Sequence, residues 1–445
     1  MADAAIVAPA PLTHRRVWRI AGPMVISNAT VPLVGAVDTA MVGQLGLAAP
    51  IGAVAVGAAL LNAFYWIFGF LRMGTTGLAA QALGAGDRAE LVALLSRGLM
   101  VGGLAGLALI CLQLPLFHLA FGLSTASAEV QELARTYCAI RIWSAPAMIA
   151  SYGLIGWLIA NERARAVLIA QVAVNGVNIL LDVWFVMGLG WGVEGVAWAT
   201  FAAEWSGLAA GLWFCRDAFR SPAWRDAARV FDRARLANMA SVNADIMIRS
   251  VLLLSVVISF IFFFSPAFGE VPLAANQILM QFITITAFAL DGLAFAVESL
   301  VGQAMGARDR LRLRRAALLC SQWGLAAGAL LSLGFALFGA ELVDLMTTAP
   351  LVREEARHYL PWMVAVPLLG VAPWMLDGIF IGATRGRDMR NMMIVATAVY
   401  FAAAFALVPL FGNHGLWAAQ CVSYLARGAA LGLRYPALER SAAGY

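Results

Sequence analysis

From Val17 to beyond Gly432 the chain is a near-unbroken succession of apolar stretches, interrupted only by short groups of Arg, Gly or Pro. A helix needs about 20 apolar residues to cross about 30 Å of hydrocarbon, and these stretches are that long. Twelve of them can be read, over 17–41, 51–76, 94–119, 138–160, 167–188, 192–215, 244–264, 273–300, 316–339, 359–383, 391–411 and 414–433. Hydrophobic residues make up 62% of the 445 and charged residues only 12%, against about 45–50% and about 25% in soluble domains. An ordinary soluble enzyme is excluded. The predicted fold is an all-α polytopic membrane protein with twelve transmembrane helices in two pseudo-symmetric six-helix bundles. The boundaries are an N-lobe over 13–217, an inter-lobe linker over 218–243 and a C-lobe over 244–435. The first stretch shows no small-residue cleavage pattern and reads as a retained helix, not a signal peptide.

All 30 basic residues are Arg, and they cluster at the ends of the stretches. Arg beside a span is a topology signal, so the net charge of +5 gives no reason to expect nucleic acid as a partner. Counted over alternate connections, 23 Arg fall on the side of the N-terminus and three, Arg135, Arg353 and Arg357, on the other. The positive-inside rule then places both termini in the cytoplasm, and a cell inner membrane is the expected location. Arg72, Arg141, Arg249 and Arg427 lie within spans or at their ends.

An internal repeat supports two halves. Gln81-Ala-Leu-Gly-Ala-Gly-Asp-Arg88 recurs as Gln303-Ala-Met-Gly-Ala-Arg-Asp-Arg310 at an offset of 222, and Gly192 and Gly195 match Gly412 and Gly415 at 220. Six spans per copy give both copies the same orientation, related by an axis along the membrane normal, with a cavity expected between them. The Gly of the octapeptide reads as a turn former at the end of a span.

Six acids fall inside spans: Asp38, Asp182 and Glu204 in the first half, and Asp291, Glu298 and Asp377 in the second. Each costs at least about 2.5–3.5 kcal/mol at mid-bilayer and needs a reason. They break the repeat, since Asp38 corresponds to Phe260 and Asp182 to Ala402. Asn175, Asn178 and Asp182 share one helix face at i, i+3, i+7, and Thr200 and Glu204 share another at i, i+4. If these stripes meet Asp38, they form an oxygen-rich pocket suited to a proton or to sodium; helix bridging by polar side chains is the plainer reading. In the second half an ion pair between Arg249 and one of the acids is favoured over a cationic-substrate or second proton site. Arg72 is expected to neutralise a carboxylate of the first half. Pro23 and Pro32 in the first span, and Pro361, Pro367 and Pro373 in the tenth, are candidate bends. Five scattered Cys and four His offer neither a disulfide framework nor a metal site, and neither a Walker A loop nor an HExxH motif occurs, so no cofactor is expected.

Several stretches resemble the multidrug and toxic compound extrusion (MATE) transporters, in particular their DinF-like branch. They are Pro32-Leu-Val-Gly-Ala-Val-Asp-Thr39, Phe70-Leu-Arg-Met-Gly-Thr-Thr76, Asn178-Ile-Leu-Leu-Asp-Val-Trp184, Ala289-Leu-Asp-Gly292 with Ala296-Val-Glu298, and Leu376 to Arg385. The resemblance covers roughly residues 13–435. It implies two lobes around a V-shaped cavity and export of cationic or amphipathic compounds in exchange for protons or sodium. By the same resemblance, Asp38, Asn178, Asp182 and Thr200 match the family's N-lobe cation site. Pro23 matches a proline where protonation-linked bending has been proposed. The acid that other branches carry in the seventh helix has no counterpart here beyond Asp245.

The sequence therefore predicts a cation-coupled antiporter, not an enzyme, acting on small organic cations in a lipid bilayer and expected as a monomer. A lipid or lipid-linked oligosaccharide flippase is the alternative, with a membrane-embedded transferase or a channel further behind.

Overall fold

The computed structural model describes residues 11–44, 46–122, 124 and 126–443, almost wholly helical. The first half contains α1 (His14–Gly43), α2 (Ala48–Gly84), α3 (Arg88–Cys111), α4 (Ala128–Ala160), α5 (Ala164–Gly188) and α6 (Gly192–Phe214). The second contains α7 (Arg233–Phe268), α8 (Glu270–Gly306), α9 (Arg310–Met346), α10 (Pro350–Gly382), α11 (Gly386–Phe411) and α12 (Asn413–Ser441). Among the described residues ten of these are long and apolar enough to cross a membrane. The other two, α6 and α12, have 23 and 29 residues. They are long enough at about 1.5 Å per residue, and α6 carries Glu194 and Glu204 while α12 carries Arg427.

Helix starts follow local chemistry. Thr13, Asp87, Ser127, Asp232 and Asp309 each accept a hydrogen bond from the backbone N–H three residues on, a cap that contributes about 1 kcal/mol. The cap at Asp232 starts α7 at Arg233, so the connector expected over 218–243 is helical from that point. The stretch read as one span over 94–119 is α3 followed by a separate helix, Gln113–Gly122. Pro115 lies in the first turn of that second piece, where its missing N–H is no loss. By contrast α1 remains one helix through Pro23 and Pro32, and α10 through Pro361, Pro367 and Pro373.

Three apolar cores result. One lies within the first half around Val54, Tyr65, Tyr137 and Val196, and one within the second around Phe260, Phe282 and Trp417. The third joins the halves, with Ile20, Leu95 and Trp157 packed in the same core as Leu300 and Phe380.

The repeated octapeptide belongs to this junction. Gln81 Nε2 donates to Gly382 O and Thr384 Oγ1, both at 3.0 Å. Its repeat partner Gln303 donates to Ala160 O at 3.2 Å and to Glu162 Oε1 at 3.1 Å. Because 160 and 162 map onto 382 and 384 at the same offset of 222, the four contacts form a two-fold latch between the lobes. A Cβ at Gly84 would lie 2.0 Å from Gln303 O, and one at Gly306 would lie 2.0 Å from Gln81 O. These glycines serve backbone contact between helices. The turn itself falls two residues later, at Gly86 with φ +74° and at Arg308 with φ +53°, and the Asp after it caps the next helix.

Glu162 also receives Arg16 Nε at 3.1 Å and Arg19 at 2.8 Å. Burial pushes its carboxyl up, but the hydrogen bonds and charge of Arg16, with Arg19 and Gln303, outweigh burial and hold it below the usual carboxylate range.

Candidate functional site

Asp38 on α1, Asn178 and Asp182 on α5, and Thr200 on α6 converge inside the first lobe, each 0–1% exposed. Asn178 Nδ2 donates to Asp38 Oδ1 at 3.1 Å, and Thr200 Oγ1 lies 3.1 Å from Asp38 Oδ2. The same hydroxyl lies 2.9 Å from Val196 O; with one proton it serves the carboxylate or the carbonyl. Asp182 sits in hydrogen-bonding range of Asp38. Neither of its oxygens, nor Asn178 Oδ1, finds a donor among the described residues. A proton shared between the two facing carboxyls would link Asp38 to Asp182 and satisfy one of these three orphaned acceptors. Immediately after Asp182 the helix widens to a π turn over Val183–Gly188, an irregularity frequent beside functional sites.

Asn175 shares the face of Asn178 but does not join the cluster. Its Nδ2 donates to Thr30 O at 3.2 Å, tying α5 to the backbone of α1. Glu204, one turn beyond Thr200, forms a buried ion pair with Arg141 of α4. Arg141 also donates to Tyr137 Oη at 2.9 Å, and its charge acts on Asp38. In the sequence Arg141 stands at a span end with no assigned role. The usable signal was Tyr137 and Arg141 at i, i+4 on the turn that leads into an apolar run.

In the second lobe Arg249 pairs with Asp377, and Arg427 Nη2 adds a 2.6 Å contact to the same carboxylate oxygen. Arg427, another residue without an assigned role in the sequence, is thereby part of the cluster. Arg72 does not neutralise an acid of its own lobe: it crosses to Glu298 of α8, with Nη1 at 2.9 Å, and lies over the Phe295 ring at 4.2 Å. The helix periodicity put Arg72 on a face, and the closure of the two lobes decided its partner. Asp291 lies within electrostatic reach of Arg72, Arg249 and Glu298, beside Trp374. Asp245 is engaged by Arg390 Nη1 at 2.6 Å. At the repeat position of Asp38, Phe260 packs on Trp417 with ring centroids 4.6 Å apart, so the second lobe has an aromatic core where the first has its polar cluster. Pro23 lies between Ala21 and Val25, whose backbones approach Gly292 of α8. No group of three or more His, Cys, Asp or Glu fit to hold a metal occurs among the described residues, and the five Cys are free.

Two repeated helical lobes in a membrane, with ionisable side chains buried between the helices of each, define a multi-pass transporter. The MatE family model matches twice, over residues 23–184 and 246–408; the chain belongs to the MATE family of multidrug transporters, which are not enzymes. It is 41% identical over 431 residues to DNA damage-inducible protein F of Escherichia coli, covering 94% of this chain and 91% of that one. It is 26% identical over 440 residues to a probable multidrug resistance protein NorM of Synechococcus sp., covering 92% and 91%. Among solved structures, a MATE protein in the bent conformation superposes with a TM-score of 0.87 at 20% identity, covering 96% of each chain. The Vibrio cholerae MATE transporter VcmN in the bent form gives 0.85 at 20% identity, covering 96% of this chain and 97% of that one. At these identities the superpositions speak for the fold.

Proposed function

We propose that the chain is a proton-coupled antiporter that exports cationic or amphipathic organic compounds across the inner membrane by alternating access. The observation that carries this reading is the cluster of Asp38, Asn178, Asp182 and Thr200. It joins three helices of one lobe around carboxyl oxygens that lack a donor. Protonation links Asp38 to Asp182 and draws α1 and α5 together; deprotonation leaves two like charges facing each other in a dry site, which pushes them apart. A proton gradient thereby acts on the position of α1, and α1 packs on α8 of the other lobe.

The proton is preferred to sodium because two buried carboxyls in hydrogen-bonding range of each other can share a proton. Both oxygens of Asp38 are already engaged by Asn178 and Thr200, whereas a hard metal cation needs several free oxygen ligands. One proton crossing about 150 mV supplies about 3.5 kcal/mol, enough for a gradient of a few hundred-fold. The Arg-rich face is assigned to the cytoplasm by the positive-inside rule. The latch closes the lobes on that face, so in this reading the substrate path opens toward the outside.

Proteoliposomes test this. Uptake of a fluorescent organic cation is expected under an imposed pH gradient, unaffected by a sodium gradient, and abolished by Asp38→Asn and by Asp182→Asn. Transport that follows sodium alone would overturn the proton assignment, and transport indifferent to every ion gradient would overturn antiport.

A further inference from the structure

At the Arg-rich face a cavity of about 560 Å³ opens between the start of α1, the α4–α5 connection and the end of α6. Arg15, Arg19, Arg163, Arg165 and Arg216 converge on it from three separate chain segments, against only two lining carboxylates, Glu162 and Asp217. Those carboxylates are already engaged. Glu162 holds Arg16 and Arg19 and belongs to the latch, while Asp217 lies 3.7 Å from Arg163 and 3.4 Å from Arg220. Arg15 and Arg165 are exposed and make no hydrogen bond or ion pair with any described residue. A concave site with surplus guanidinium and no internal anion to satisfy it calls for an external one.

The level of the cavity identifies the anion's source. Arg15 and Arg216 stand three residues from Trp18 and Trp213, two indoles that are 40% and 65% exposed. Exposed indoles mark the membrane–water interface, and Arg216 lies over the Trp213 ring at 4.5 Å. The mouth therefore faces lipid headgroups. We infer that this cavity binds the phosphate headgroup of an anionic phospholipid, with Arg15, Arg165 and Arg216 on the phosphate oxygens and the acyl chains running past Trp18 and Trp213. Arg19 lines the same cavity and pairs with Glu162 at 2.8 Å, so a bound phosphate competes with Glu162 for Arg19 and bears on the latch. The site lies outside the Asp38 cluster and does not depend on what that cluster couples to.

The test is lipid retention by the full chain in detergent, read by native mass spectrometry during titration with phosphatidylglycerol, cardiolipin or phosphatidylcholine. The chain is expected to retain the two anionic lipids and not phosphatidylcholine. Arg15→Gln with Arg165→Gln removes two unpaired exposed side chains, leaves the fold intact, and is expected to weaken anionic-lipid binding about 10- to 30-fold. Arg314→Gln with Arg315→Gln removes the same charge elsewhere on this face and is expected to change binding by less than about twofold. Equal losses in both double variants would reduce the effect to general surface charge and overturn the site. Retention of phosphatidylcholine to the same degree would also overturn it. Displacement of the lipid by millimolar inorganic phosphate would assign the cavity to a free anion instead and overturn the lipid reading.

Discussion

Replacing Gly84 by Ala puts a methyl group where the structure has none to spare. The new Cβ would lie 2.0 Å from Gln303 O, whereas carbon and carbonyl oxygen approach to about 3.3–3.6 Å. The two helix ends must separate by more than about 1 Å, and overpacking of this kind costs about 1–3 kcal/mol. Gln303 makes the latch contacts at 3.1–3.2 Å, so the same separation stretches bonds that each contribute about 1 kcal/mol. Only the state with the lobes closed on this face bears the cost. A loss of about 2 kcal/mol shifts the closed-to-open ratio about 30-fold. The assay is a distance distribution between spin labels at Ala85→Cys and Ala307→Cys, both exposed beside the latch, in a background where exposed Cys111 is replaced by Ser. Gly84→Ala should add a long-distance population, and Gly306→Ala should do the same by symmetry. Gly103→Ala, where a Cβ meets nothing within 4 Å, should leave the distribution unchanged. An unaltered distribution in Gly84→Ala, or one matching Gly103→Ala, would refute the latch.

Other expectations follow from single contacts. Thr200→Ala removes the hydroxyl 3.1 Å from Asp38 and should lower pH-driven transport about tenfold, with Thr200→Ser restoring most of it; equal activity of all three forms would remove Thr200 from the site. Glu162 is held below its ordinary value of 4.5, so its contribution to the latch is fully present above that pH and is lost as pH falls through its depressed pKa. Opening of the Arg-rich face should therefore grow in acid, and Glu162→Gln should abolish that dependence in the same label-distance measurement. Arg249→Met with Arg427→Met leaves the Asp377 carboxylate buried without either partner; a loss of about 3–5 kcal/mol, seen as a lowered Tm in detergent, is expected. Adding Asp377→Leu should recover most of that loss, and failure to recover would mean that the cluster does more than balance charge.

What the sequence by itself determined is what short-range chemistry controls. Apolar length set the helices, Asp and Ser caps set where several of them begin, and the 222-residue offset set the two halves. Helical periodicity also put Asn178 and Asp182 on one face, and Thr200 and Glu204 on another. It could not say which neighbour each face meets, since spacing along one helix fixes a direction around that helix's own axis and nothing about the next one. Asn178 meets Asp38 across 140 residues and Arg72 meets Glu298 across 226. Pairings at such separations are settled only when helices pack and bury their polar groups together. For the same reason Asn175 turned to the α1 backbone, Arg141 and Arg427 acquired partners that no local pattern announced, and the octapeptide glycines proved to be contact points between lobes. The repeat was legible as a repeated string. Its work as a two-fold latch exists only because the two copies face each other across the junction of the lobes.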